Sequence, residues 1–284
     1  MINQMQTLVN NAKSQEKDAL YIRNLLKDFL QVYVLNFIYL HKAYNTNFIF
    51  TGGTCLSHCF GMHRLSEDLD FDLKKPIDVE ELRTQLIRYF TKDHLLASFQ
   101  ASVLQQGSQL LLKFPLLKQL GLANASDSDL LYVKMDLSTV ESLHYEQQAT
   151  LKSVSHFNYV VIHYDLPSLF AGKINAILTR NRLMGKENTL IIKGRDYYDL
   201  LWFLEKKVNL NILRLNDLLK AQHSVGEILS LLDSKVEEAL GSKKLYFKQD
   251  LLPFIDPPHF VEAYIEHYLE NYRRYKQYLL DTVP

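Results

Sequence analysis

The chain has 284 residues, of which 47% are apolar and 23% are charged, and its 32 basic side chains balance its 32 acidic ones. This composition is typical of a globular protein long enough for two domains, and it excludes general disorder. The balanced charge excludes a global basic field for nucleic acid or membranes, and two cysteines are too few for a disulfide framework.

The sequence carries no signal for export or for a membrane span. The first 17 residues are polar and lack the apolar stretch of a signal peptide. No later segment approaches the roughly 18 uninterrupted apolar residues that a spanning helix needs. We therefore expect a cytoplasmic protein with no membrane partner.

Helices and strands are predicted to alternate in the first part of the chain. Apolar residues recur at helical spacing over 18–43, a short strand follows at 48–50, and a helix over 54–60 ends at Gly61. Residues 67–73 alternate as a strand. Asp78 and Glu81 have the spacing of a capping box, which predicts a helix to about residue 90. Four further strands are expected over 98–104, 109–115, 130–138 and 158–164.

Beyond residue 164 the pattern becomes helical. Asp165 is expected to cap a helix with Pro167 in its first turn, and the periodic apolar face runs over 168–183. Further helices are predicted over 195–207, 211–223, 225–240 and 258–280. The expected fold is an α/β N-terminal domain at 1–164, with a mixed sheet and flanking helices, and an all-α helical domain at 165–284.

Aspartates alternate with apolar residues in the strand predicted at 67–73. Side chains two apart on a strand share a face at about 6.6 Å, so Asp68 and Asp70 point to the same side. The alternation in 130–138 places Asp136 opposite a core-facing row. If these two strands are neighbours, three carboxylates converge and repel one another. Two Mg²⁺ ions would relieve that repulsion and could clamp a nucleoside triphosphate.

Two adjacent glycines precede the helix predicted at 54–60. Gly52 and Gly53 end a strand and lie before a helix N-terminus, where unpaired N–H groups favour a phosphate. Thr54 adds a hydroxyl. The structural alternatives are a tight turn for the glycines and a solvated edge strand for the aspartates. Asp72 lies about 13 Å along the strand from Asp68 and is expected to be solvated or structural.

These motifs closely resemble the AbiEii family of nucleotidyltransferase-like toxins, which includes the MenT-type toxins and belongs to the polymerase-β-like nucleotidyltransferase superfamily. The resemblance is carried by Gly-Gly-Thr-Cys-Leu at 52–56 and by Arg-Leu-Ser-Glu-Asp-Leu-Asp at 64–70. Asp136 resembles the third carboxylate of the superfamily. Lys173 and the Arg-Asp-Tyr-Tyr-Asp-Leu at 195–200 resemble the later motifs of the family.

The resemblance implies a two-lobed nucleotidyltransferase with the nucleotide in the cleft. It implies metal-dependent transfer of a nucleotide from an NTP to an RNA acceptor, with tRNA expected, by the toxin of a toxin–antitoxin pair whose cognate antitoxin neutralises it. The implied catalytic residues are Asp68, Asp70, Asp136, Lys173 and Asp196, of which the first three are also the metal ligands. The implied nucleotide-binding residues are Gly52, Gly53, Thr54, Arg64, Ser66, Lys173, Arg195 and Asp199.

Two other functions fit the same motifs. The first is a small-molecule nucleotidyltransferase of the aminoglycoside-modifying type, which needs an acidic acceptor pocket, with Glu141 or Glu146 as the candidate acids. The second is a protein that binds an NTP without turnover. Single residues have structural alternatives too: Lys173 could reach solvent from an apolar helix. Arg195 and Asp199, four residues apart, could form a surface ion pair.

A locally basic segment lies next to the proposed cleft. Between residues 173 and 195 the sequence has a single acid, Glu187, and six basic residues: Lys173, Arg180, Arg182, Lys186, Lys193 and Arg195. Such a segment could hold an RNA backbone or only the triphosphate, with a solvated loop as the structural alternative.

Cys55 and Cys59, with His58 and His63 nearby, raise the question of a zinc site. The cysteines are four residues apart instead of having the tight spacing of a zinc knuckle, and their segment is the predicted helix after the glycines. Both cysteines are therefore expected to be small residues that face the core.

Overall fold

The computed structural model of the chain describes residues 1–180, 182–184 and 189–281, with the backbone alone described at 182–184, 189–191 and 281. Its packing divides the chain into two compact units. The first contains residues 1–140 and 147–163, and the second contains residues 141–146 and the chain from residue 164 onward. The two units are described separately below.

The first unit is built on a seven-stranded mixed sheet. Its strands are β1 (Phe48–Thr51), β2 (Asp68–Leu73), β3 (Gln100–Leu104), β4 (Gln109–Pro115), β5 (Leu130–Thr139), β6 (Gln147–Val154) and β7 (Phe157–Tyr164). The order across the sheet is β3-β4-β5-β2-β1-β7-β6. β2 runs parallel to β5, and β1 runs antiparallel to β2 and parallel to β7. The two strands that were predicted to carry aspartates are therefore direct neighbours.

The helices of the first unit are α1 (Ile2–Ser14), α2 (Ala19–Leu40), α3 (Gly52–Phe60) and α4 (Val79–Arg88), and a π-helical turn follows α4 at Tyr89–Asp93. α2 begins at Asp18, whose side chain accepts a hydrogen bond from the backbone N–H of Leu20. Most of its second half is buried, and the Tyr39 hydroxyl donates to the backbone oxygen of Ile162 at 2.9 Å. α2 is thereby tied to β7 in the core of this unit.

The second unit is mainly helical. Its elements are α5 (Leu166–Thr179), the antiparallel strands β8 (Arg182–Met184) and β9 (Thr189–Ile191), α6 (Gly194–Glu205), α7 (Ile212–Leu219), α8 (Val225–Leu240), α9 (Lys244–Leu251), α10 (Pro258–Glu266), α11 (Tyr268–Tyr275) and α12 (Gln277–Asp281). Asp165 caps α5 as predicted, because its side chain accepts from the Ser168 N–H at 3.1 Å. The predicted fold class, a mixed sheet with flanking helices followed by a helical part, is confirmed.

The segment 141–146 lies between two strands of the sheet in sequence, yet it packs with the helical unit. Ser142 Oγ donates to Asp217 Oδ2 at 2.6 Å, and His144 Nδ1 lies 2.9 Å from the same oxygen. The predicted first domain, 1–164, includes this segment, whereas the packing groups it with the second unit.

Several predicted elements were wrong in extent. The helix predicted over 168–183 ends at Thr179, and the helix predicted over 258–280 is three helices, interrupted at His267 and Lys276. α1 was not predicted, although its buried residues Met5, Val9 and Ala12 have helical spacing. β6 was also missed, because it is largely exposed and carries no apolar alternation.

Candidate functional site

The aspartates of the first unit lie on one face of two parallel strands. In the register of β2 with β5, Asp70 is opposite Asp136, and Asp68 is opposite Lys134. The intervening residues of β2 are buried, as the alternation predicted, while the aspartates are partly exposed. Neighbouring strands lie about 4.8 Å apart, so Asp70 and Asp136 are adjacent residues on the same face of the sheet.

Two residues that the sequence reasoning missed contact these carboxylates. Lys134 Nζ lies 3.3 Å from Asp68 Oδ1 and 3.6 Å from Asp136 Oδ2. Gln109, on β4, donates from Nε2 to Asp136 Oδ1 at 2.6 Å. Partial burial lowers the pKa of Lys134, but Asp68 and then Asp136 raise it more, so its pKa is raised overall. Lys134 is therefore a fixed positive charge among the aspartates.

The donor chemistry of this face fits a hard divalent cation. Asp68, Asp70 and Asp136 supply carboxylate oxygens, which are the ligands that Mg²⁺ takes from proteins. Lys134 already places a positive charge on this face, within 3.6 Å of Asp68 and Asp136. Within the described part of the chain, however, the three aspartates do not form a group with all ligand atoms within 4.8 Å of one another. Their assignment as metal ligands stays a prediction.

The first glycine is required by the approach of an aspartate. Gly52 has a φ of +73°, and a Cβ atom built there would lie 1.9 Å from Asp70 Oδ2. No larger residue fits without moving Asp70, because the backbone conformation and the carboxylate both exclude a side chain. The chain enters α3 at this point. The glycine thus lets the start of α3 approach the carboxylate row directly.

The remaining residues of the glycine motif have partners within the first unit. A Cβ atom on Gly53 would lie 2.4 Å from Arg64 Nη2, so the guanidinium packs against this glycine. The buried Thr54 hydroxyl donates to the backbone oxygen of Asp68, which ties α3 to β2. Ser66 is buried, and its backbone oxygen accepts from Gln31 Nε2 at 3.1 Å. The phosphate-binding roles predicted for these residues remain predictions.

A buried charge cluster lies in the second unit, between α5 and α6. Lys173 Nζ is 2.7 Å from Asp199 Oδ2 and 3.2 Å from Asp196 Oδ1. Its side chain is 12% exposed, and those of Asp196 and Asp199 are 6% and 0% exposed. Lys173 therefore does not extend to solvent but holds two buried carboxylates together.

Asp196 has a second basic partner in Arg180, whose Nη1 donates to Asp196 Oδ2. Burial alone would raise the pKa of Asp196. Lys173, Arg180 and Lys193 outweigh this effect and hold the pKa well below its usual range. Asp196 is therefore ionised at neutral pH and has two cationic neighbours fixed against it.

Arg195 is held by an acid that the sequence reasoning did not identify. Its backbone N–H and its Nε donate to Asp250 Oδ2 at 3.0 and 3.2 Å, and its guanidinium carbon lies 3.9 Å from the ring centre of Phe254. Arg195 and Asp199 are both buried, so neither side chain lies on the solvated helix surface on which the alternative placed them. α9 supplies Asp250, and no helix was predicted there.

The structure describes the side chains of some residues of the predicted basic segment, 173–195, and not of others. Arg180 and Lys193 both act electrostatically on Asp196. The side chain of Arg182, together with Lys186 and Glu187, lies outside the described residues. Glu141 and Glu146, the acids considered for a cationic acceptor, are both exposed.

Cys55 is buried as predicted, and Cys59 is partly exposed. Burial raises the pKa of the Cys55 thiol. Of the two histidines considered with them, His58 contacts Asp28 at 2.9 Å and His63 is exposed.

Comparison with known proteins gives the class of the chain. The family model described as "Nucleotidyl transferase AbiEii toxin, Type IV TA system" matches residues 37–267. The chain therefore belongs to the AbiEii family of nucleotidyltransferase toxins, and the predicted resemblance is confirmed. No curated protein sequence matches the chain.

Three solved structures are similar to the chain, and the first supports the fold. The chain is similar to MenT4, a nucleotidyltransferase toxin from Mycobacterium tuberculosis, with 14% identity, a TM-score of 0.53, and coverage of 98% of this chain and 90% of that one. It is also similar to two Helicobacter pylori proteins at 15% identity, one provisionally assigned as a nucleotidyltransferase and one named JHP933. Their TM-scores are 0.41 and 0.42, over 89% of this chain and 96% and 94% of theirs. At this level of identity, the likeness to MenT4 establishes the fold.

No helix in the part of the chain that the structure describes is long and apolar enough to cross a membrane.

Proposed function

We propose that the chain transfers a nucleotide from an NTP to an RNA acceptor, with tRNA as the acceptor, in a reaction that depends on Mg²⁺. The observation that supports this proposal best is the register of β2 with β5, which sets Asp70 opposite Asp136. The start of α3 lies against the same carboxylate, because a side chain at Gly52 would collide with Asp70. Carboxylates that would suit a hard cation and a helix N-terminus that would suit a phosphate therefore lie side by side at the central strands of the sheet.

In nucleotidyl transfer an acceptor hydroxyl attacks the α-phosphorus of the NTP, a new phosphodiester bond forms, and pyrophosphate leaves. Asp68, Asp70 and Asp136 would hold the metal ions, which, when bound, neutralise phosphate charge. Gln109 donates to one oxygen of Asp136 and so fixes the orientation of that carboxylate. Asp136 is thereby positioned to act as the third ligand or to accept the proton of the acceptor hydroxyl.

The second unit carries a basic group that has a role in the proposed reaction. Arg180, Lys173 and Lys193 surround Asp196, and this basic group would bind polyphosphate or the RNA backbone. Lys173 was predicted to bind the triphosphate, and we keep that role as part of the proposal. Lys173 is also paired with Asp196 and Asp199, so in this role its ammonium group would interact with these carboxylates and with the triphosphate at the same time.

Membership of a toxin family that belongs to type IV toxin–antitoxin systems implies a cognate antitoxin. We propose that the reaction arrests growth by modifying tRNA in the cytoplasm and that the antitoxin counteracts this effect. A neighbouring gene for a small winged-helix protein would support the pairing.

The experiment that tests this proposal compares two aspartates of the same strand face. Purified protein is incubated with Mg²⁺, each labelled NTP in turn and total tRNA, beside Asp70→Asn and the matched control Asp72→Asn. We expect label in RNA with the wild-type chain and with Asp72→Asn, and its loss in Asp70→Asn. Equal labelling by both variants would contradict the role of the carboxylate row. Binding of NTP without label in any RNA would favour a small-molecule acceptor or a binding protein.

A further inference from the structure

A cluster of sulfur and nitrogen ligands lies in the first unit. Cys55 and Cys59 are one helical turn apart on α3, and His163 lies on β7. One ligand atom of each side chain lies within 4.8 Å of the ligand atoms of the other two. Among the residues that the structure describes, this is the group of three Cys, His, Asp or Glu side chains that meets that spacing.

The topology of the sheet explains why these residues meet. Phe50 on β1 pairs with His163 on the parallel strand β7. The chain turns from β1 into α3 at Gly52, so the helix leaves the sheet beside His163. Residues four apart on a helix share one face, which brings Cys55 and Cys59 together. The sequence reasoning considered the nearby His58 and His63 and missed His163, which lies more than 100 residues away along the chain.

The ligand set has a clear chemical preference. Two thiolates and an imidazole are soft and intermediate donors, which suit zinc and are unlike the oxygen donors of the aspartate row. We propose that Cys55, Cys59 and His163 bind one Zn²⁺ ion. Each thiol releases its proton to solvent as its thiolate binds, and the fourth position of the ion is left to a solvent ligand.

The surroundings of the cluster support the proposal. Cys55 and His163 are both 0% exposed, whereas Cys59 is partly exposed and gives the ion a route inward. Thr150 Oγ1 lies 2.8 Å from His163 Nε2, and a hydrogen bond of this kind orients a metal-binding imidazole.

The proposed ion would link the helix that carries the glycine motif to the sheet. Cys55 follows Thr54 directly, and both belong to the first turns of α3. Zinc would therefore stabilise the position of the helix start relative to β7. This consequence concerns folding of the first unit and is independent of the nucleotide reaction.

Metal binding can be measured on the full chain without any activity assay. The reduced protein is stripped with a chelator, and Zn²⁺ retention and the Co²⁺ absorption spectrum are then recorded. Variants Cys59→Ser and His163→Gln remove ligands, Thr150→Val removes the contact to the imidazole, and His63→Asn is the matched histidine control. Circular dichroism shows which variants fold.

We expect one Zn²⁺ per wild-type chain, a thiolate-to-cobalt charge-transfer band, and an unfolding midpoint raised by about 5 °C or more in excess Zn²⁺. The band should be lost in Cys59→Ser and His163→Gln and retained in His63→Asn. Thr150→Val should weaken Zn²⁺ binding by about 10- to 100-fold. A wild-type chain that is folded by circular dichroism yet retains no zinc and gives no cobalt band, while thiol titration after unfolding shows both cysteines reduced, would overturn the proposal.

Discussion

Removing the positive charge of Lys173 tests the account of the buried cluster most sharply. Lys173→Met keeps the apolar stem and deletes a charge that lies 2.7 Å from Asp199 and 3.2 Å from Asp196. Breaking a buried ion pair by removing one partner costs about 3–5 kcal/mol. Arg180 still faces Asp196, so we expect the lower end, a loss of about 3 kcal/mol in the free energy of unfolding.

The chain offers a specific probe for this measurement. Its single tryptophan, Trp202, lies on α6 with Asp196 and Asp199, so its fluorescence reports unfolding of the second unit. Urea unfolding is followed by this signal for the wild-type chain, for Lys173→Met and for Lys244→Met, which changes an exposed lysine of the same unit. The unfolding of the two units need not coincide, and a local probe avoids mixing them.

A double variant separates the ion pair from the packing of the side chain. Lys173→Met combined with Asp199→Asn removes both charges, so it should be more stable than Lys173→Met alone, with a coupling free energy of about 1–3 kcal/mol. If Lys173→Met loses less than about 1 kcal/mol, or no more than Lys244→Met, the pair behaves like an exposed one and the reasoning is refuted.

Three further predictions concern glycines, the metal face and acid stability. Gly52→Ala should destabilise the first unit, because the added Cβ would lie 1.9 Å from Asp70. Gly172→Ala adds a Cβ with no other atom within 4 Å and should stabilise the second unit by about 0.5–1 kcal/mol; urea unfolding of each unit checks both predictions. Lys134→Met should raise the Mg²⁺ affinity of the chain about fivefold in a calorimetric titration, because a competing charge is gone, and an unchanged affinity would count against metal binding on this face. The pKa of Asp196 is held below its usual range, so the stabilisation that its carboxylate provides is complete above the unfolded pKa of about 3.9 and is lost as the pH falls through the folded pKa. Asp196→Asn should therefore reduce the loss of unfolding free energy below about pH 4, and an unchanged pH profile would contradict this.

The first unit was largely predictable because its strands alternate cleanly. β2 and β5 each bury every second residue, and that pattern alone placed Asp68, Asp70 and Asp136 on polar faces. The same alternation puts Lys134 on the face of Asp136, so its presence at the site could have been predicted from spacing. Gln109 could not, because its contact depends on the register between β4 and β5.

The second unit was less predictable because its important contacts join distant helices. Lys173 on α5 meets Asp199 on α6, and Arg195 meets Asp250 on α9. Helical periodicity identifies which residues share a face of one helix but not which helices pack together. The motif around residues 195–200 resembled a family pattern, yet only the structure showed that its charged residues are buried and paired.

The most direct test of the central claim follows the α-phosphate and the γ-phosphate of the NTP separately. The wild-type chain is incubated with tRNA and Mg²⁺ in parallel reactions containing the NTP labelled at the α-phosphate or at the γ-phosphate. Nucleotidyl transfer predicts α-label in RNA and γ-label in pyrophosphate. Appearance of the γ-label in RNA, or of neither label in RNA with any NTP, would contradict the account.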